Sequence, residues 1–324
     1  MRILTGLQSS GAPHIGNYLG MIRPAVDLQN KPENDCFYFI ADLHSFTSQK
    51  DPKIFAENQK FAAVDWLVLG IDPEKSVFYR QSDVADLHTE LTWYLLCFTP
   101  MGMLERAHSY KDKKDKGLEA NAGLFTYPIL MAADILLYDA NLIPVGKDQK
   151  QHVEMARDLA IKINHHFGEE IFTIPKPSID ENVQTIPGLD GQKMSKSYGN
   201  FIGIFEEKDA FRKKIMSIKT ESVPLGEPLD PDNCLVFTYH KLFKNPRISS
   251  LEKEYRDGSI GYGKAKEELF ELLWDFFSEA RERREHLLQN PELVSKILSN
   301  GAEKARDISE KKLQKMREKM GLAS

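Results

Sequence analysis

The chain has 324 residues, with 43 basic and 48 acidic side chains and therefore a formal net charge of −5 at pH 7. Hydrophobic residues make up 41% and charged residues 28% of the chain, as in an ordinary globular protein large enough for a main domain and a smaller one. The slightly negative net charge argues against a protein that coats nucleic acid without preference, although a local basic surface could still bind a nucleic acid.

Three widely separated cysteines, Cys36, Cys97 and Cys234, form no C-x-x-C pair. This spacing argues against a zinc or iron–sulfur site, and the odd number favours a reducing cytoplasm over a disulfide framework. The first residues lack the pattern of a signal peptide, and no apolar run is long enough to cross a bilayer. We therefore expect a cytoplasmic protein that does not enter a membrane.

Predicted strands and helices alternate through the first half of the chain. Apolar and aromatic runs predict strands at residues 2–8, 35–45, 76–82 and 141–146. Helical patterns lie between them, at residues 15–30, 51–69, 85–98, 126–140 and 147–168. This alternation predicts an α/β fold with a doubly wound, Rossmann-like parallel sheet.

Several residues in these segments predict helix ends. Pro24 should end or kink the first helix, because proline lacks the amide hydrogen that a helix interior needs. Thr126 can cap the fourth helix and place Pro128 in its first turn. Asp148 and Gln151 have the spacing of a capping box at the start of the fifth helix.

The second half has a different texture. Residues 174–200 are rich in proline and glycine and show little periodicity, which predicts a long loop. Helical patterns follow at residues 206–219, 233–243, 248–255 and 263–288. In the last of these, four apolar positions, Leu269, Leu273, Phe276 and Ala280, predict one buried stripe.

The C-terminal residues predict two more helices. Asn290 and Pro291 should begin a short one, which Gly301 should separate from a final helix. The chain shows no internal repeat and no low-complexity segment. We therefore predict a Rossmann-like catalytic domain at 1–203, a C-terminal all-helical domain at 204–294, and a last helix at 295–324 that packs back on the catalytic domain.

The segment PHIGNYLG, residues 13–20, follows the first predicted strand and opens a helix. A helix N-terminus offers unpaired N–H groups and the positive end of the helix dipole, so it can bind phosphate. His14, Gly16 and Asn17 are the candidate residues. A tight strand-to-helix turn without a ligand would fit the same residues.

The segment GQKMSKSYGN, residues 191–200, carries Lys193 and Lys196 in a glycine-bounded loop. Two ammonium groups on such a loop suit a polyphosphate that must be gripped and then released. An exposed basic loop is the alternative interpretation.

Together these two segments resemble the signatures of class I aminoacyl-tRNA synthetases. KMSKS is matched at all five positions, by Lys193, Met194, Ser195, Lys196 and Ser197. The first signature reads HIGN, with Asn17 where many members have a second histidine. The resemblance implies that ATP activates an amino acid, with His14, Asn17, Lys193 and Lys196 as catalytic residues, and that tRNA accepts the product.

The stretch TYPILMAADILLY, residues 126–138, bears on the amino acid. Tyr127, Met131 and Asp134 fall on one helix face, and the neighbours of Asp134 are almost all apolar. A carboxylate buried there must find a donor or become protonated. A partner elsewhere in the protein would satisfy it. In the tryptophanyl branch of the family, which this stretch resembles, the matching carboxylate accepts the indole N–H of tryptophan, and Tyr127 and Met131 would supply apolar walls.

The run VGKDQKQHVEMARD, residues 145–158, resembles the same branch. The resemblance implies that Gly146, Lys147 and Asp148 line the ribose of ATP and that Gln149 contacts tryptophan. A capping role for Asp148 would not exclude a ribose contact.

The resemblance extends to further residues, each with less force. His44 matches a histidine near the substrate, although a structural histidine would also fit, and Ile186 matches a backbone contact to adenine. The polar turn before the first signature would contact a phosphate or carboxylate, and a basic loop would lie near pyrophosphate. These last two groups comprise Gln8, Ser9, Ser10, Lys111 and Lys113.

The family also implies partners. It predicts tRNA(Trp) bound by the helical domain, a homodimer with its interface in the α/β domain, and Mg2+ carried mainly by the ATP phosphates, with no protein metal site. Three alternatives remain open: a tyrosyl relative of the same fold, a small-molecule nucleotidyltransferase, and a non-catalytic tRNA-binding paralogue.

Overall fold

In the computed structural model the described residues are 1–7, 11–107, 121–179 and 186–322. They form two compact units. The sheet unit comprises Met1–Gly11, Ala25–Asn182 and Asn290–Ser324, and the helical unit comprises Ala12–Pro24 and Val183–Gln289. Each unit is a set of residues that contact one another more than they contact the rest of the chain. The bounds of these units differ from the predicted domain boundaries, which stay a prediction.

The sheet has five parallel strands in the order β3-β2-β1-β4-β5. Its strands are β1 Arg2–Leu7, β2 Asp35–Ile40, β3 Ser76–Arg80, β4 Leu142–Pro144 and β5 Lys176–Ser178. Four of them lie where apolar runs predicted strands, because such runs suit strands that are buried on both faces. The short β5 lies in the segment predicted as loop. The α/β, Rossmann-like fold class is confirmed.

Helices make up most of the other described residues. In chain order the α-helices of the described residues are α1 Ile15–Asn17, α2 Arg23–Gln29, α3 Asp42–Ser45, α4 Pro52–Val68, α5 Ala85–Phe98, α6 Met101–Glu105, α7 Ala122–Leu136, α8 Lys150–Phe167, α9 Lys208–Met216, α10 Leu235–Leu242, α11 Ile248–Arg256, α12 Tyr262–Phe276, α13 Ser278–Gln289 and α14 Pro291–Lys319. No helix within these residues is long and apolar enough to span a membrane.

The helix predicted at 15–30 contains a change of hydrogen-bond pattern. A π-helix at Tyr18–Ile22 joins α1 to α2, and the Arg23 N–H bonds to the Tyr18 carbonyl. Pro24 lies in the first turn of α2. The helical segment therefore continues through Pro24, and the missing proline N–H falls where the regular α-helical hydrogen bonding is already interrupted. Widening the ladder to the π pattern accommodates the missing proline N–H.

Helix α7 starts earlier than predicted. Its cap is Asn121, whose Oδ1 accepts the Leu124 N–H at 2.8 Å. Thr126 was therefore predicted wrongly as the cap; its hydroxyl donates to the Ala122 carbonyl one turn back. Pro128 consequently lies inside the helix. Asparagine is as good a cap as threonine, and the earlier start adds a turn.

The long helix predicted at 263–288 is two helices that meet at Phe277. Phe277 is buried, whereas Phe276 is 46% exposed. The predicted stripe of Leu269, Leu273, Phe276 and Ala280 therefore holds only through Leu273. After Leu273, the helix break at Phe277 changes which side chains are buried.

The C-terminal residues form one helix, α14, and not the two that Gly301 was predicted to separate. Gly301 is needed for a different reason. A Cβ at this position would overlap the Phe78 carbonyl oxygen and lie 2.6 Å from its carbonyl carbon. Glycine therefore lets the backbone of α14 approach the backbone of strand β3, both within the sheet unit.

We expect Gly301→Ala to lower the free energy of unfolding by about 3 kcal/mol, because the new methyl group would push α14 away from β3. Gly263→Ala is the matched control, since a Cβ there meets nothing within 4 Å and alanine favours a helix by up to about 1 kcal/mol. Urea unfolding of both variants is the measurement. Equal stability of the two variants would contradict the close approach.

Candidate active site

The two signature segments lie together in the helical unit, although about 180 residues separate them in sequence. The Ile15 N–H donates to the Ile202 carbonyl at 2.9 Å, and the Ile204 N–H donates to the Pro13 carbonyl at 3.2 Å. An isolated antiparallel bridge pairs His14 with Gly203. The chain directly after KMSKS therefore holds the start of the first signature.

His14 and Asn17 cap each other. The His14 Nδ1 accepts the Asn17 N–H at 3.2 Å, and the Asn17 Oδ1 accepts the His14 N–H at 3.1 Å. This is a capping box in which histidine and asparagine replace the usual residue types. The contact fixes the ring of His14 with Nδ1 as an acceptor, so its Nε2 is the nitrogen that can carry a proton.

The His14 ring is held neutral. Burial, followed by the charges of Lys196 and Lys214, lowers the pKa of His14 to about 4. Lys214 lies over the Phe201 ring at 3.9 Å and pairs with Glu206 at 2.6 Å. Lys214 was missed by sequence reasoning, because nothing in its helix marks it as a neighbour of the first signature.

Met194 anchors the KMSKS loop. Its side chain is buried and its Sδ accepts the Gly16 N–H at 3.2 Å, while its own N–H donates to the Ile186 carbonyl at 2.9 Å. Lys193 and Lys196 are exposed on either side. The apolar residue is therefore fixed, and both ammonium groups face outward.

The end of the loop is held by Asn200, which is buried. Its Oδ1 accepts the Ser195 N–H at 2.8 Å, and its Nδ2 donates to Asp190 at 2.8 Å and to the Lys193 carbonyl at 3.1 Å. The Ser195 hydroxyl in turn accepts the Ser197 N–H. Asn200 was missed as a site residue, although it closes the quoted segment.

In the sheet unit, Asp134 lies on α7 and is almost completely buried. His44 Nε2 contacts its Oδ2 at 2.7 Å. Gln81 Nε2 and His88 Nδ1 both contact its Oδ1, each at 2.6 Å. Burial raises the pKa of Asp134, but the charges and hydrogen bonds of His44 and His88 outweigh it and lower the pKa to about 2. The expected carboxylate thus has partners from three other elements.

Gln81 and His88 were missed. A signal for His88 exists, since it shares the buried face of α5 with Leu91 and Leu95 at spacings of three and seven residues. A histidine in such a stripe must have a buried partner. Gln81 directly follows β3, and parallel strands place such residues at one edge of the sheet.

Tyr127 begins a second polar chain. Its hydroxyl lies 3.1 Å from His152 Nε2, and His152 Nδ1 lies 2.9 Å from Gln149 Oε1. Gln149 Nε2 donates to Asp148 at 2.9 Å. The Tyr127 ring also meets the His44 ring edge to face, at 6.0 Å. The structure therefore brings His44 and Tyr127 together with the residues at the start of α8.

The predicted capping box of Asp148 and Gln151 is wrong. A short 3-10 turn covers Lys147–Gln149, so α8 starts only at Lys150, and Gln151 donates to the Arg106 carbonyl instead. A Cβ on Gly146 would lie 2.6 Å from the Asp148 carboxylate. Glycine thus admits that carboxylate close to the backbone, while Lys147 and Asp148 stay exposed.

Of the remaining predicted site residues, one lies within the described residues and five do not. Met131 is partly buried against the hydrophobic core of the sheet unit. The five residues of the polar turn and the basic loop lie outside the described residues. They are Gln8, Ser9, Ser10, Lys111 and Lys113.

Comparison with known proteins agrees with this geometry. The family model of class I tRNA synthetases (W and Y) matches residues 1–278. The chain is 52% identical over 323 residues to a tryptophan–tRNA ligase of Campylobacter jejuni, covering 99% of this chain and 100% of the relative. It is 49% identical over 322 residues to that of Fusobacterium nucleatum, covering 99% and 98%.

Solved structures give the same result. The crystal structure of tryptophanyl-tRNA synthetase from Campylobacter jejuni, complexed with ADP and tryptophan, matches with a TM-score of 0.94 at 52% identity, over 99% of this chain and 100% of that one. The enzyme from Mycoplasma pneumoniae matches with a TM-score of 0.81 at 30% identity, over 100% and 98%.

We expect the His14 ring to titrate near pH 4, and Lys196→Ala to raise that midpoint by removing a nearby positive charge. Because the folded pKa lies below 6.5, the stability that comes from the neutral ring is complete above pH 6.5 and is lost as the pH falls toward 4. Nitrogen-15 NMR of labelled histidine is the measurement. A wild-type midpoint near 6.5 would refute the neutral ring.

Proposed function

The chain belongs to the class I tRNA synthetases of the W and Y group, and from this premise we propose that it is a tryptophan–tRNA ligase. In the first step the carboxylate of L-tryptophan attacks the α-phosphorus of ATP, and pyrophosphate leaves. In the second step the tryptophanyl group of the adenylate passes to the terminal ribose of tRNA(Trp), and AMP leaves.

The observation that carries tryptophan specificity is the arrangement around Asp134. An ionised carboxylate has about four lone-pair positions, and three are taken by Gln81, His88 and His44. The fourth lies on Oδ2, next to the His44 ring, which in turn meets the Tyr127 ring edge to face. The indole nitrogen only donates, so one remaining acceptor complements it.

Tyrosine is a poorer match to the same arrangement. Its hydroxyl both donates and accepts, so a site for it would present a donor as well as an acceptor. Since Asp134 offers only an acceptor position, the phenolic oxygen would lose its hydrogen bonds from water without replacement.

The ATP contacts are those that the family resemblance implies. His14 and Asn17 with Lys193 and Lys196 stabilise phosphate charge in the transition state. The adenine, ribose and loop contacts come from Gly16, Ile186, Met194, Ser195 and Ser197 and from Gly146, Lys147 and Asp148, with the polar turn Gln8, Ser9 and Ser10 completing the set. Tryptophan is bound by Asp134, Tyr127, Met131, Gln149 and His44.

The chemistry of the first step requires no general base, because the attacking carboxylate is already ionised. The rate then depends on alignment and on charge stabilisation at the phosphates. A neutral His14 suits this task. Because its Nδ1 accepts the Asn17 N–H, its Nε2 carries the hydrogen and can donate it. A neutral ring also does not draw the tryptophan carboxylate away from the α-phosphorus. The two lysines supply the positive charge.

Mg2+ enters with ATP. Within the described residues no group of three His, Cys, Asp or Glu side chains is placed to hold a metal ion. Mg2+ commonly binds through substrate phosphates with few protein ligands. We therefore assign it to the ATP phosphates, where it neutralises charge.

The partners follow from the family. The helical unit binds tRNA, and two chains form a homodimer through the α/β domain. We place the protein in the cytoplasm, where its cysteines stay reduced; Cys36, Cys97 and Cys234 are all unpaired.

Amino-acid-dependent ATP–pyrophosphate exchange tests the proposal. With each of the twenty amino acids offered separately and no tRNA present, we expect exchange with tryptophan alone. Exchange with tyrosine would retain the mechanism and overturn the specificity assigned to Asp134. No exchange by well-folded protein would overturn the catalytic proposal itself.

Lys196→Ala should slow adenylate formation by about 100-fold or more, while tryptophan binding changes little, because a phosphate contact acts in the transition state. Single-turnover kinetics and equilibrium binding separate the two effects. Lys253→Ala, an exposed lysine of α11 in the same unit, is the control. Equal losses in rate and in tryptophan affinity would indicate a merely structural loop.

A further inference from the structure

We propose that His88 is a positioning residue for substrate selection: its Nδ1–H occupies Oδ1 of Asp134, so that Oδ2 is the oxygen left for the indole N–H. The proposal rests on the function proposed above. His88 itself has no contact with substrate in this assignment and acts through Asp134.

The argument starts from the hydrogen-bonding capacity of the carboxylate. Oδ1 of Asp134 lies 2.6 Å from His88 Nδ1 and 2.6 Å from Gln81 Nε2. Two donors saturate one carboxylate oxygen. Within the part of the chain that the structure describes, Oδ2 has a single partner, His44, at 2.7 Å, and it therefore retains one acceptor position.

The direction of that position follows from exposure. The side chain of His88 is fully buried, whereas that of His44 is 12% exposed. The saturated oxygen thus points into the core and the other oxygen points toward the accessible side. A ligand N–H can approach only the second one.

The tautomer of His88 follows from its two partners. An ionised carboxylate only accepts, so His88 Nδ1 must carry the hydrogen. Its Nε2 lies 2.9 Å from the hydroxyl of Tyr138. Tyr138 is itself fully buried. The ring is therefore held from both ends and cannot turn away from Asp134.

Without the Nδ1 hydrogen bond, Oδ1 would offer a second acceptor position in the core. The carboxylate could then turn, or recruit a water, and it would no longer present one defined acceptor to the substrate. Discrimination between tryptophan and an analogue without the N–H would fall, since it depends on leaving a buried acceptor unpaired.

Two substitutions separate the two nitrogens of the ring. In His88→Asn the amide nitrogen lies where Nδ1 was and can still donate to Asp134. In His88→Gln the terminal amide reaches the position of Nε2 and Tyr138, and Gln81 is left as the one donor to Oδ1 among the described residues. Both variants replace the ring with an amide, so they lose similar packing.

The measurement is the ratio of kcat/KM for tryptophan to that for 3-benzothienylalanine, in which sulfur replaces the indole N–H. We expect His88→Gln to lower this ratio about tenfold, and His88→Asn to keep it within about threefold of wild type. A wild-type ratio in His88→Gln, or an equal loss in both variants, would overturn the proposal.

A measurement on the unaltered protein keeps the proposal testable if either variant fails to fold. Nitrogen-15 NMR of labelled histidine should show His88 protonated at Nδ1; an Nδ1 without hydrogen would overturn the proposal. Failure of the proposed function is distinct, because it appears as absent exchange with tryptophan in the wild type. Asp134→Asn isolates the carboxylate, since it should lower the ratio whether or not His88 positions it.

Discussion

A buried carboxylate is the constraint around which the sheet unit is organised. Burial of an unpaired negative charge is very costly, so Asp134 on α7 requires donors from its surroundings. They come from three places: the start of α3 after β2, the turn after β3, and α5. Each of these three places follows the carboxyl end of a strand or faces that end. The need of Asp134 for hydrogen-bond donors therefore constrains how α3, α5 and the turn after β3 pack around α7.

The helical unit has to accommodate positive charge, whereas the sheet unit accommodates a buried negative charge. Burial and the nearby charges of Lys196 and Lys214 keep the His14 ring neutral, so the positive charge lies on the ammonium groups and not on the ring. Met194 and Asn200 fix the loop backbone through Gly16 and Ser195. A loop backbone fixed in this way, with Lys193 and Lys196 exposed beside Met194, is an arrangement suited to binding and releasing phosphates.

Much of the fold was predictable, because its strands are buried on both faces and its helices are amphipathic. The alternation of these patterns predicted four strands and the α/β class, and two short motifs predicted the chemistry. What could not be predicted depends on distant contacts. Nothing local in the sequence distinguishes a glycine that ends a helix from Gly301, which lies within one, and the partners of Asp134 lie 46 to 90 residues away.

The closeness of α14 to β3 has a consequence for how the protein is made. Strand β3 is at one edge of the sheet, and an uncovered edge strand can pair with another chain. The helix that lies against the main chain of Phe78 follows all five strands in the sequence. During synthesis this edge strand therefore stays uncovered until α14 has left the ribosome, and a product that stops before α14 would expose a strand edge able to pair with another chain.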